Sequence, residues 1–190
     1  MKNLLTLLLT FSLTTFAVPN SIVAVINDTI ITMDNINDLI DKDATTEQKI
    51  ALIEQKIDIE LQQEKIQTLG IKPKLEIINA ALENIATRNG LTLAQLRANN
   101  QFAQIVETVT QDLALKGLKQ IVLQQNNITI TPEEIDDEIL NNPKKDNITT
   151  EEHWNNIKAQ LIYSKQNAFF QSWVKNLRKN AYIEIFKHKL

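Results

Sequence analysis

The chain has 190 residues, no cysteine and a formal net charge of −3 at pH 7. Without cysteine it forms no disulfide, so packing must supply its stability. No block of basic residues stands out, which argues against a nucleic-acid partner, and the length suffices for one domain with a substantial core.

The first 17 residues have the layout of a cleavable secretory signal. Lys2 provides a positive start, residues 4–16 are mostly apolar, and Ala17 is a small residue at the predicted cleavage site. The apolar run is shorter than the roughly 20 residues that a membrane-spanning helix needs. We therefore expect a signal peptide over residues 1–17, with a retained signal anchor as the alternative, and no membrane span in a single domain over residues 18–190.

The sequence after the signal predicts a β-hairpin followed by two helices. Residues 21–31 are rich in β-branched side chains around an Asn-Asp turn. A short helix is expected from Thr32 to about Asp41, and a long one over residues 45–69, with Gly70 as its stop. The buried side of the short helix is predicted to carry Met33, Ile36, Leu39 and Ile40.

Four further helices are predicted before a polar break. Pro73 starts a helix that closes at residues 89–90, and Thr92 opens a short one. Residues 102–125 form a long amphipathic helix, and Thr131 begins the last, which runs to about Leu140. The N-terminal helical part thus spans residues 18–140, and residues 141–148 form a loop.

The last part of the chain, residues 149–190, predicts a long closing helix followed by a strand. Thr149 and Glu152 form a capping box, and residues 181–186 alternate as a strand does. The apolar positions expected on one face of the helix are Trp154, Ile157, Leu161, Ala168, Phe169, Trp173 and Leu177. The predicted fold is mostly α, a multi-helix body with a small sheet formed by the N-terminal hairpin and the C-terminal strand.

Several aromatic side chains are candidates for a groove that binds unfolded chains. They are Phe102, Phe169, Phe170, Trp173 and Trp154. Each is equally suited to a hydrophobic core, so both interpretations stay open. Adjacent Phe169 and Phe170 lie about 100° apart on a helix, which would turn one inward and leave the other facing a groove.

No pattern in the sequence indicates catalysis, a metal or a cofactor. His153 and His188 have no nearby histidine or cysteine partner, which disfavours a metal site or a nucleophile–base pair. The three glycines are too far apart for a phosphate-binding loop.

Taken in order, several segments resemble the SurA-type periplasmic chaperones. They are residues 22–28, 31–32, 57–58, 61, 69–71, 81–86, 89–93, 95–97, 130–131, 134–136, 173, 177–178 and 181–185. The resemblance implies a helical chaperone core whose closing strand returns to the N-terminal strand. It also implies a periplasmic location and, as partners, unfolded outer-membrane or secreted proteins.

One departure from the family bears on activity. Its members normally carry parvulin prolyl isomerase domains before the closing helix, but only about ten residues separate Leu140 from Thr150, far fewer than the roughly 50 of an independent domain. We therefore expect no enzyme activity.

Two functional classes remain. The first is an ATP-independent holdase that binds extended segments in an apolar crevice between the closing helix and the helices before it. We expect Phe102 and one of Phe169 or Phe170 on its wall. The second is an adaptor that docks on one folded envelope partner. A second copy of the chain could also fill the crevice, giving a homodimer.

Overall fold

The computed structural model describes residues 20–41, 43–144 and 147–190. The predicted signal peptide, residues 1–17, lies outside this part of the chain. The elements in order are β1 (Ile22–Ile26), β2 (Thr29–Thr32), α1 (Met33–Asn37), α2 (Thr46–Thr68), α3 (Leu75–Arg88), α4 (Leu93–Arg97), α5 (Phe102–Gln125), α6 (Pro132–Asn141), α7 (Thr150–Lys179), β3 (Ile183–Ile185) and a 3₁₀ turn (Lys187–Lys189). The mostly helical fold with a small antiparallel sheet is confirmed.

The two ends of the described chain meet in one sheet of order β2-β1-β3. β1 is antiparallel to both neighbours, and it pairs with β3 through Ala24 opposite Ile185 and Ile26 opposite Ile183. The Phe186 N–H extends the ladder by donating to the Val23 carbonyl oxygen at 2.9 Å. The prediction that the first and last β segments pair is confirmed.

Asn27, in the turn between β1 and β2, fixes this arrangement. Its φ of 47° is left-handed, a conformation that asparagine tolerates better than most residues. Its N–H donates to the Tyr182 carbonyl oxygen at 2.9 Å, and its side-chain oxygen accepts from the Tyr182 N–H at 3.0 Å. Its side-chain amide nitrogen donates to Glu64 Oε2 on α2 at 2.7 Å. One residue thus links the hairpin, the start of β3 and α2.

Most buried apolar residues of the described chain fall in three separate clusters. The sheet cluster comprises Val23, Ala24, Ile26, Ile31, Ile36, Ile53, Ile57 and Leu61. The α3 cluster comprises Leu82, Ala86, Leu96 and Val109, and the α7 cluster comprises Leu118, Val122, Phe170 and Val174. Because α5 contributes its first half to the α3 cluster and its second half to the α7 cluster, it holds the two together.

An ion-pair network ties the end of α7 to α2. Arg178 donates from Nη1 to Asp58 Oδ1 at 2.7 Å and pairs through Nη2 with the Glu54 carboxylate. Burial would lower the pKa of Arg178, but the hydrogen bonds to Asp58 and Glu54 raise it above its ordinary value. The guanidinium therefore stays charged where α7 crosses α2.

The predicted helix starts at Thr45, Thr92, Thr131 and Thr149 are confirmed. Each side-chain oxygen accepts from the backbone N–H three residues on, and a glutamine or glutamate at that position returns the bond. These bonds are local, which is why sequence alone located them.

Three predicted boundaries are wrong. α1 ends at Asn37 instead of about Asp41, where the Leu39 N–H bonds to the Ile36 carbonyl three residues back; Leu39 is 62% exposed, while Ile40 packs against the sheet cluster as predicted. α3 begins at Leu75, with Lys74 as its extended N-cap, two residues after Pro73. β3 comprises only Ile183–Ile185, although the flanking residues Tyr182 and Phe186 also bond to Asn27 and Val23.

We predict that a chain ending at Asn180 is strongly destabilised, because it loses β3 and uncovers one edge of β1. Removing Ile183 and Ile185 from the sheet cluster should lower the free energy of unfolding by at least about 2–5 kcal/mol. Urea denaturation measures the change. The matched control is Glu184→Gln, whose side chain lies on the exposed face of β3. Equal denaturation midpoints for the truncated and full chains would contradict the prediction.

Candidate functional site

One face of α5 forms the floor of two neighbouring surface depressions. These open depressions, of about 450 Å³ and about 570 Å³, lie end to end along it, and Lys116 borders both. The α5 residues that line them recur every three or four positions and so share one face: Val109, Asp112, Leu113, Lys116, Lys119, Gln120, Leu123 and Gln124. We call this feature the α5 groove.

The first half of the groove runs between α5 and α3. Its α3 wall consists of Ala81, Asn84, Ile85 and Arg88. On the α5 side, Val109 is only 7% exposed because it also belongs to the α3 cluster. This half therefore has an apolar floor with polar groups at its rim.

The second half runs between α5 and α7, and amide side chains dominate its lining. Gln120 and Gln124 come from α5, Asn127 from the turn after it, and Gln166 from α7. Each amide carries both hydrogen-bond donors and an acceptor. Leu123 adds apolar surface here. This half is thus suited to groups that both donate and accept hydrogen bonds.

The groove is long enough for a short extended peptide. At 1.5 Å per helical residue, Val109 and Gln124 are separated by about 22 Å along the axis of α5. An extended chain rises about 3.3 Å per residue, so about seven residues would cover that distance.

Lys119 holds α7 against α5 beside the groove. Its Nζ donates to Asn167 Oδ1 at 2.6 Å and lies 5.6 Å from the centre of the Phe170 ring and 6.0 Å from that of Tyr163. Leu118, the residue before Lys119, packs in the α7 cluster with Phe170. The wall that carries Gln166 is therefore fixed by a buried cluster and a polar contact.

A second polar contact joins α6 to α7 at Lys165, the residue before Gln166. Lys165 Nζ lies 2.5 Å from Glu134 Oε1 and donates to the Thr129 carbonyl oxygen at 3.2 Å. The hydrogen bond from Lys165, followed by that from the Thr131 backbone N–H, lowers the pKa of Glu134 below its usual range. The Glu134 carboxylate thus stays ionised at neutral pH, and its ion pair with Lys165 is formed at that pH.

The five aromatic candidates do not line the α5 groove. Phe102 packs in part against the α3 cluster, and Phe169 and Trp173 pack against the α7 cluster, of which Phe170 is a member. Trp154 is half-buried near the start of α7, where the Nζ of Lys158 lies 4.9 Å from its ring.

Phe102 and the Phe169–Phe170 pair pack on different clusters, and the crevice expected to have Phe102 and one of Phe169 or Phe170 on its wall stays a prediction. Phe102 precedes Leu118, a neighbour of Phe170 in the α7 cluster, by about 24 Å along α5. An open crevice between the closing helix and an earlier one is present, but amides and lysines line it instead of phenylalanines.

The predicted buried face of α7 is also displaced. Its buried residues are His153, Ile157, Phe170 and Val174, whereas Ala168 is exposed. Phe170 is 8% exposed and stacks on Trp173, with ring centres 5.4 Å apart. Phe169 is half-buried against the α7 cluster, so of the adjacent pair Phe170 is the inward residue and neither faces the groove.

A charge pattern in the sequence would have pointed to the groove. From residue 113 to residue 132, and again from residue 153 to residue 183, the chain has no acidic residue, although its overall charge is negative. The fold places parts of these two segments against each other as α5 and α7. No single basic block is visible in the sequence because the cations are divided between distant segments.

Within the described residues, no three histidine or acidic side chains come together as a metal-binding group. No helix in residues 20–41, 43–144 and 147–190 combines the length and the hydropathy that crossing a membrane requires.

We predict that Phe170→Ser lowers the free energy of unfolding by about 3–5 kcal/mol, as expected for truncating a buried phenylalanine. Phe102→Ser and Phe169→Ser, at half-buried sites, should cost less. Tyr163→Ser is the matched control on α7, since Tyr163 is 66% exposed, and should cost no more than about 1 kcal/mol, the value of its exposed contact with Lys119. Thermal unfolding gives the comparison. A stable Phe170→Ser variant that no longer binds unfolded protein would instead place Phe170 in a binding site.

Comparison with known proteins assigns no family to this chain. No protein-family model matches the sequence. No curated protein shows significant similarity to it.

Proposed function

We propose that this protein is an ATP-independent holdase chaperone of the periplasm. It binds unfolded or extended segments of outer-membrane and other envelope proteins in the α5 groove. The observation that carries the proposal is the lining of this groove, which joins an apolar half to an amide-rich half over about 22 Å.

This lining suits clients of many sequences. An extended chain presents one backbone donor and one acceptor at nearly every residue, whatever its side chains are. The amides of Gln120, Gln124 and Gln166 can pair with either group, and the surfaces of Val109, Leu113 and Leu123 can cover apolar side chains. Binding through these groups is weakly selective, as a holdase requires.

The resemblance to the SurA-type chaperones supports the same proposal. Its segments occur in the family's order, and in this fold β3 returns to β1 as the resemblance implies. Residues 142–149, which join α6 to α7, are too few for a parvulin domain, so the proposed activity includes no prolyl isomerisation.

Site-specific photocrosslinking tests the proposal, and the absence of native cysteine removes background labelling. Gln120→Cys and Gln125→Cys place a benzophenone on opposite faces of α5, since five residues turn a helix by about 140°. Both side chains are exposed. With a reduced and alkylated, permanently unfolded client, we expect crosslinks from position 120 and few from position 125.

Suppression of aggregation provides a second test of the proposal. Without ATP, the unlabelled protein should suppress aggregation of an unfolded outer-membrane protein in proportion to its concentration. No suppression, or equal crosslinking from both faces of α5, would refute the holdase proposal. Crosslinks from position 120 to one folded envelope protein, with none to the unfolded client, would favour an adaptor.

A further inference from the structure

The α5 groove carries more positive than negative charge. Arg88, Lys116 and Lys119 line it together with a single acid, Asp112. The chain as a whole has a net charge of −3, so the groove differs in sign from the average of the molecule. Cations in a concave site attract anionic groups more strongly than the same cations on a convex surface.

Acidic side chains of the described residues leave these cations unneutralised. Within residues 20–41, 43–144 and 147–190, neither Arg88 nor Lys116 lies in an ion pair, and the neighbours of Lys119 are the neutral Asn167 and two aromatic rings. Glu134, which lies beside α7, is already paired with Lys165. The groove therefore offers positive charge to a ligand.

Apolar residues flank the central cation on both sides. Val109 and Leu123 each lie seven residues from Lys116, which is about 10 Å along α5. About three residues of an extended chain cover that distance. A bound segment would meet apolar surface, then positive charge, then apolar surface again, whichever way it runs.

We infer that the groove selects extended polypeptide segments in which an acidic residue is flanked, about three positions away on each side, by apolar residues. This inference rests on the proposed holdase function and names its client class. The acidic side chain lies against Lys116, and the apolar side chains contact the regions of Val109 and Leu123. The apolar surface on both sides of the cation favours such a polypeptide over a phosphate-bearing lipid headgroup.

Fluorescence anisotropy with labelled unstructured peptides tests the inference. One peptide carries glutamate between two leucines at the stated spacing, and two others replace it by glutamine and by lysine. We expect the glutamate peptide to bind the full chain roughly two- to fivefold more tightly than the glutamine peptide, the range for one solvent-accessible ion pair. The lysine peptide should bind more weakly than both, and added salt should reduce these differences.

Charge reversal at the central cation provides the second readout. Lys116 is exposed, so Lys116→Glu should keep the fold and invert the preference, with the lysine peptide binding most tightly. The matched control is Lys175→Glu, because Lys175 is exposed on α7 and lies half a turn around the helix from Gln166. The control should leave the order of the three peptides unchanged.

The outcomes separate the inference from the proposal on which it rests. If all three peptides bind equally and Lys116→Glu has no effect, the selectivity is wrong while the holdase proposal stands. If no peptide binds and aggregation is not suppressed, the holdase proposal itself fails. If Lys116→Glu abolishes binding to phosphatidylglycerol vesicles but leaves the peptides unaffected, the cation serves a lipid surface and the inference is overturned.

Discussion

The antiparallel pairing of β3 with β1 is the constraint on which the rest of the structure depends. α7 is 30 residues long, about 45 Å, and its C-terminal end is held by this pairing, by the Asn27 contacts to Tyr182 and by Arg178 between Glu54 and Asp58. These contacts join residues that are more than 100 positions apart in the chain. They fix the line along which α7 passes α5, and so the position of the groove wall that carries Gln166.

The division of the core into three clusters explains why a groove exists at all. In one compact core, the inner faces of α3, α5 and α7 would all pack on each other. Here α5 packs against α3 along its first half and against α7 along its second half. The α5 face between these partners stays open from Asp112 to Gln124, and the buried Val109 lines the end of the groove next to α3. The groove is thus a consequence of how the buried apolar residues are distributed along α5.

Much of the fold follows from local signals. The threonine capping boxes and the left-handed glycine after α2 depend on residues within one or two helical turns, and they located the starts of α2, α4, α6 and α7 and the end of α2. The pairing of β1 and β3 was predictable because each short strand would otherwise leave an exposed edge. At α1 the apolar pattern extended the helix too far, since the bond from the Leu39 N–H to the Ile36 carbonyl oxygen, three residues back, replaces regular helical bonding there.

The candidate site was far less predictable. Aromatic residues are large enough to serve either a core or a groove, and Phe170 became core because Leu118 and Val122 of α5 lie opposite it. The residues that line the groove, such as Gln120 and Lys116, are individually unremarkable on an exposed helix. Only the packing of α3 and α7 on α5 shows that they share one concave surface.

Intermolecular nuclear Overhauser effects from a bound, unstructured client peptide to the methyl groups of this protein test the central claim most directly. The account predicts contacts to Val109, Leu113 and Leu123, which line the α5 groove. Ile59, Leu75 and Leu140 are exposed apolar residues outside the groove and provide the comparison, with Leu140 81% exposed. Contacts concentrated on these exposed residues, with none to the groove methyls, would contradict the account.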